Sequence, residues 1–233
     1  MPKRSDYSHI LPGIMREGKP FNRATTFFDD FVGGFDLAAA EIGKWFVTDT
    51  GTNTRTVGNE SNGTLVSVSD TADNDTANYQ ANGEAFQSVE GQRLIFEARL
   101  KSDDVSLNDF FVGLAITDTD ILTSATDLIG FRLTDSTAGV IPEFVLEKDS
   151  TETVLSTGIT LLDDTYNVFR FEIAGSGDQR RCQIFVDGNF INDIVLTNEP
   201  DDQTLTPSLQ HRNASAAART VTADYVLAVA DRV

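Results

Sequence analysis

Apolar and polar side chains alternate with a period of two along most of this chain, which leaves little choice of architecture. In RLIFEARLK the residues Leu94, Phe96, Ala98 and Leu100 share one face, while Glu97 and Arg99 take the other. DFFVGLAIT puts Phe110, Val112, Leu114 and Ile116 on one face with smaller side chains opposite. VFRFEIAG puts Phe169, Phe171 and Ile173 inward and Arg170 and Glu172 outward. RTVTADYVLAVADR groups Val221, Ala223, Tyr225, Leu227 and Val229. Successive strand residues point to opposite faces, so each segment reads as a strand with one buried side.

Turn residues punctuate the strands. In IFVDGNFI the pair Asp187-Gly188 separates two apolar runs, the signature of a two-residue hairpin whose central residues need positive φ. DTGTNT, SDTADND, TDST, AGSGDQ and TNEPDDQT are further turn clusters, and they cut the chain into roughly a dozen short strands. Only FDLAAAEIGKW, around Leu37 to Ile42, admits a helical turn or two. No repeat of fixed period is present, which argues against a propeller or a β-helix. The expected fold is all-β: an antiparallel jelly-roll sandwich over residues 26–233, with 16 Phe to fill its core.

Residues 1–25 read differently. MPKRSDYSHILPGIMREGKPFNR has three of the chain's six prolines and no strand or helix period. Proline removes ladder donors, so the expectation is an extended basic arm. Its candidate partner-binding residues are Arg4, Arg16, Lys19 and Arg23 for acidic surfaces, and Ile10, Leu11 and Ile14 as apolar anchors. The net charge is -18, and since the arm is basic, that acidity belongs to residues 26–233. A body so charged repels phosphate backbones, which argues against a nucleic-acid partner. No stretch is apolar enough for a signal-peptide core or a membrane span, so no membrane partner is expected. The single Cys182 makes no internal disulfide and falls in phase with Ile184 and Val186, as a buried residue would.

Catalytic patterns are scarce. His9 and His211 are the two histidines, and no nucleophile elbow, zinc set or phosphate loop accompanies them; His211 reads as a surface or rim residue. Glycoside hydrolysis needs two carboxylates about 5–9 Å apart. Glu143, Glu147 and Asp149 have strand spacing for that, as do Asp118 and Asp120. Asp70, Asp73 and Asp75 offer hard oxygens to calcium without the EF-hand spacing. No cofactor is expected.

TYNVFRFEIAGSGDQRRCQIFVDGNFINDI resembles the strand–strand–hairpin core of concanavalin A-like, laminin-G-type sandwiches. FFVGLAITDTDIL, with LTPSLQHRNASAAARTVTADYVLAVADR, resembles virion proteins of tailed bacteriophages, head-associated ones in particular. The fold resemblance is best over residues 93–233. It implies a passive module, since the glucanase branch carries an E-x-D-x-[x]-E run that this chain lacks. The role expected from it is a non-enzymatic capsid decoration protein on the virion exterior, made in the host cytoplasm and present as a homo-oligomer or in multiple copies on a shell. Its arm would bind the major capsid protein. The alternatives are a carbohydrate-binding or host-adsorption module with a surface glycan as partner, and a glycosidase.

Overall fold

The computed structural model describes residues 24–32, 41–58, 60, 63–134 and 140–232. Strands run through them in chain order as β1 (Ala24–Asp29), β2 (Glu41–Ile42), β3 (Trp45–Asp49), β4 (Thr54–Val57), β5 (Leu65–Val68), β6 (Thr76–Ala81), β7 (Leu94–Ser102) and β8 (Asn108–Ala115). They continue as β9 (Leu128–Leu133), β10 (Glu143–Lys148), β11 (Thr151–Ser156), β12 (Asn167–Ala174), β13 (Arg181–Val186), β14 (Asn189–Val195), β15 (Thr206–Asn213) and β16 (Thr220–Asp231). A 3-10 turn at Gly177–Gln179 is the one helical element among the described residues, and none of their helices is long and apolar enough to cross a membrane.

Two antiparallel sheets result. Sheet A has the order β14-β13-β12-β7-β16-β5-β4 with β1 also on β16, and sheet B the order β11-β10-β9-β8-β15-β6-β3-β2. Neighbours in space are often distant in sequence, as when β7 lies between β12 and β16. This is the all-β jelly-roll sandwich that the alternation implies.

Phenylalanine fills the space between the sheets. Phe169 and Phe171 of sheet A meet Phe131 and Phe144 of sheet B with ring centroids 5.2 and 5.6 Å apart. Phe110 joins Phe169 at 5.8 Å, and Phe96 stacks on Phe171 at 5.5 Å. Each such ring contributes through buried area and through tilted or edge contacts that suit the aromatic quadrupole. The inward faces expected of β7 and β12 are found: Leu94, Phe96, Ala98, Leu100, Phe169, Phe171 and Ile173 all lie in the main core. Asp187 and Gly188 have φ of 52° and 74°, as the expected hairpin requires.

Four expectations need correction. The first concerns β16, where the pairing with β7 slips between Ala223 and Tyr225, leaving Asp224 as an extra residue. A one-residue bulge exchanges the two faces beyond it. Val221 and Ala223 therefore share the core with Val226, Ala228 and Ala230, while Leu227 and Val229 pack with Ile95 on the other face. In β8 both faces are covered, because Phe111 and Ala115 pack with Ile121, Ala125, Leu128 and Val145 in a second cluster.

His211 is neither at the surface nor at a rim: it is 1% exposed. Its Nε2 lies 2.8 Å from Ser67 Oγ, which in turn lies 2.6 Å from the Tyr79 hydroxyl. Ser67 belongs to sheet A and the other two to sheet B, so this polar chain ties the layers together. Last, Glu41–Ile42 pairs with β3 as a strand, where a helical turn was expected; residues 33–40 lie outside the described set. So do Arg4, Ile10, Leu11, Ile14, Arg16, Lys19 and Arg23. Of the expected arm, Ala24 and Thr25 are described, and they pair with Asp231 and Ala230.

Candidate functional site

Sheet B receives most of the acidic candidates on its outer face. Phe144 and Leu146 of β10 enter the core, so Glu143 and Glu147 point away from it. Register sets Glu143 opposite Arg132 of β9, and Glu147 opposite Glu152 of β11. Arg132 donates to Glu152 at 2.8 Å and to Glu143 at 3.4 Å. Glu147 is 8% exposed, and desolvation, then the Glu152 charge, push its carboxyl up to about 7. A raised carboxyl beside a second carboxylate is what an acid catalyst needs. The space beside it is too small for one, however: the cavity between Phe111, Ile121, Leu122, Leu128 and Glu147 measures about 70 Å³. Ligand sites run to roughly 300–1,000 Å³. Asp149 turns out of the row at φ 49°.

Residues 116–127 close the rest of that face. Gln80 donates to the Ile116 carbonyl and accepts from the Asp118 N–H, both at 2.9 Å. Gln210 accepts from the Leu122 N–H at 3.0 Å and donates to Asp120 Oδ1 at 2.7 Å. Asp118 accepts from the Asp120 N–H at 2.9 Å and from Ser124 Oγ at 2.5 Å. Asp118 and Asp120 thus shape a loop and do not face each other across a cleft. Asp70 likewise accepts the Thr71 and Thr52 N–H groups, which hold its carboxyl below the ordinary range. Among the described residues no three His, Cys, Asp or Glu side chains are grouped to hold a metal ion.

The outer face of sheet A is different. A hollow of about 430 Å³ opens there, lined by Glu97, Val168, Arg170, Phe185, Asp187 and Tyr225, together with Gly188 of the hairpin turn. Strand register explains the assembly. Leu227, Glu97, Arg170, Phe185 and Phe190 stand in one rung across β16, β7, β12, β13 and β14. Two bulges aim the flanking aromatics. The extra Asp224 turns Tyr225 outward, where its hydroxyl donates to Glu97 Oε1 at 2.8 Å. In β14 the register slips so that Ile184 faces Asn192 while Phe185 faces Phe190, and the two rings meet edge-on at 5.7 Å. Bulges are commonly found where a side chain must be re-aimed beside a site.

Charge in the hollow is mixed. Arg170 lies over the Phe185 ring at 5.4 Å and donates to Glu172 at 3.0 Å, and its Nε is buried without a hydrogen-bond partner. Asp187 accepts from the Val168 N–H at 2.7 Å and from Asn167 Nδ2 at 2.8 Å, so both of its oxygens serve the hairpin. The sequence already showed Glu97 and Arg170 as outward residues. It also held a signal for Phe185, which is out of phase with Cys182, Ile184 and Val186. The single tryptophan is not available to a ligand: Trp45 is 1% exposed, and its indole N–H donates to Asp29 at 2.7 Å.

No family model and no curated protein matches this chain. Solved structures do. A protein of unknown function from Shewanella oneidensis MR-1 is 14% identical, with a TM-score of 0.63, over 100% of this chain and 97% of that one. An endo-1,3-beta-glucanase from Streptomyces sioyaensis is 11% identical, with a TM-score of 0.64, over 92% of this chain and 99% of that one. The potassium-bound carbohydrate recognition domain of Emp46p is 13% identical, with a TM-score of 0.58, over 88% of this chain and 95% of that one. At these identities the likeness shows the fold, which is the concanavalin A-like jelly roll of lectin and glucanase domains.

Proposed function

We propose that this chain is a carbohydrate-binding jelly-roll module whose sugar seat is the hollow on sheet A, and that it performs no reaction on what it binds. The hollow itself carries the reading: about 430 Å³ of space joins aromatic rings to a guanidinium and carboxylates. Sugars present C–H faces that pack on aromatic rings and hydroxyls that bond to charged groups, so such a mixture suits them. The carbohydrate recognition domain among the structural neighbours supports the same direction.

The lack of chemistry follows from the acids. Of the two carboxylates in the hollow, Glu97 accepts from the Tyr225 hydroxyl and is 2% exposed, and Asp187 is engaged by its own turn; Glu147 borders a space of about 70 Å³. Neither arrangement offers two opposed carboxylates across an open cleft. The capsid-decoration role rested on a sequence resemblance to phage virion proteins and on the arm, whose candidate residues lie outside the described set, and nothing in the fold or the comparisons speaks for a capsid partner.

A glycan array followed by calorimetry tests the reading. Arg170→Ala and Phe185→Ala should each weaken binding about tenfold, which corresponds to about 1.4 kcal/mol, with the fold intact by circular dichroism. Glu147→Gln should bind as the parent does. Failure to bind any glycan, or binding indifferent to both hollow substitutions, would reject the proposal.

A further inference from the structure

Residues 116–127 connect β8 to β9 by folding back over the outer face of sheet B. The neck of this segment is closed by the Ile116 N–H, which donates to the Asp127 carbonyl at 3.0 Å. Between the two ends the main chain joins no strand ladder. Thr123 and Ser124 donate to the Asp120 carbonyl, and among the described residues the backbone groups of 117–125 bond to no main chain outside the segment. Toward β6 and β15 it hangs on side-chain amides. Asn78 donates to the Asp118 carbonyl at 2.8 Å, and Gln80 and Gln210 accept the Asp118 and Leu122 N–H groups. Toward β10, Ile121, Leu122, Thr123 and Ala125 line, together with Glu147, the cavity of about 70 Å³. An element held without a ladder opens at lower cost than the strands beneath it.

Glu147 is the weak point under this cover. It is 8% exposed, and its hydrogen-bonding neighbour is another carboxyl group, Glu152 of β11. The other charges facing it are Arg132 from β9 and Asp127 from the foot of the segment. Arg132 is the one cation of that group, and it already donates to Glu152 and to Glu143 on Glu147's own strand. Neutral, Glu147 can donate its proton to Glu152. Ionised, it becomes the fourth carboxylate around a single guanidinium, with little room for the water that would solvate it.

We propose that residues 117–125 form a pH-sensitive strap, held shut by the neutral form of Glu147 and released as that carboxyl ionises. Opening bares the middle of sheet B, where Gly113 and Gly130 pair side by side beneath the tip of the Phe111 ring. The hollow lies on the other sheet, so the strap and the sugar seat are separate devices. The direction of the response follows from the proton. With the strap closed the carboxyl keeps its proton up to about 7, and with the strap open it returns to the ordinary 4.5. Opening therefore releases a proton between those values. The opening equilibrium rises from pH 4.5 to 7 and is level above 7. Its steepest slope is about tenfold per pH unit, reduced by whatever water reaches the carboxyl.

Hydrogen exchange of the full chain, followed by NMR from about pH 5 to 8.5 and divided by the intrinsic rates, tests this. The Asp118, Asp120, Leu122 and Ser124 amides are all hydrogen-bonded in the closed strap. Their protection should fall about ten- to thirtyfold between pH 5 and 7 and no further beyond. Amides of β12, which exchange only with the whole fold, should stay far better protected throughout, which marks the opening as local. Glu147→Gln keeps the side chain neutral at every pH and should hold strap protection level across the range. Three results would each overturn the strap: wild-type protection that is level over the whole range, a step that survives in Glu147→Gln, or strap amides that exchange in step with those of β12.

Discussion

Replacing His211 by glutamine should expose an acid-dependent term that the wild-type chain conceals. Burial, and secondarily the nearby Arg55 charge, depress the His211 imidazole from 6.5 to about 4. Below pH 6.5 the unfolded chain takes up a proton that the native chain refuses. Stability from this group is thus complete above 6.5 and falls by about 1.4 kcal/mol per pH unit down to about 4. Glu147 behaves in the opposite sense. Its carboxyl is raised from 4.5 to about 7, so the native chain holds a proton that the unfolded chain gives up. Its stabilisation is complete below 4.5 and is lost as pH climbs through 7. Between pH 4.5 and 6.5 the two slopes oppose each other. His211→Gln removes one of them, and relative to wild type it should gain about 3 kcal/mol on acidification across that window. Glu147→Gln should lose stability over the same window, by a smaller amount, because water reaches this carboxyl more readily than the His211 ring and screens part of its shift. Urea midpoints followed by Trp45 fluorescence at several pH values measure both, and subtracting the wild-type curve removes every other titrating group. Difference curves that stay level for both variants would refute the opposed-pair account.

Two further outcomes follow from packing. Gly130→Ala places a Cβ 2.5 Å from the Val112 carbonyl oxygen and 2.8 Å from the Phe111 ring; the ladder between β8 and β9 fixes both backbones and the second cluster packs the ring, so urea unfolding should show a loss of about 2–3 kcal/mol. Cys182 is fully buried, and its thiol is pushed well above the ordinary range by burial; labelling by an aromatic disulfide should therefore proceed at the global unfolding rate and accelerate with urea in parallel with it.

Alternation reveals a strand's faces only where one phase is clearly apolar. VFRFEIAG meets that condition, and its faces were legible. TADYVLAVA does not: Tyr225, Val226, Leu227, Ala228 and Val229 are apolar in both phases, so a bulge at Asp224 leaves no trace in the pattern. Phe185 carried a visible signal by falling out of phase with its strand, yet the rung that joins it to Glu97 and Arg170 is created by pairing between distant segments. His211 was misplaced for a related reason. Gln210 and Arg212 flank it, and the hydroxyl that justifies its burial comes from Ser67, 144 residues away. Gln80 and Gln210 look like surface amides until residues 116–127 settle on them.

β16 has three partners, with β7 along one edge and β5 and β1 in succession along the other. Its hydrogen-bonded neighbour β1 is synthesised long before it; Arg232 just beyond β16 reaches back to Thr25 across 207 residues. A ribosome would have to deliver nearly the whole described chain before this seam could be sewn. Until then β7, β5 and β1 wait with open amide rows, so assembly should be slow, intolerant of pausing late in translation, and helped by any chaperone that shields nascent strand edges.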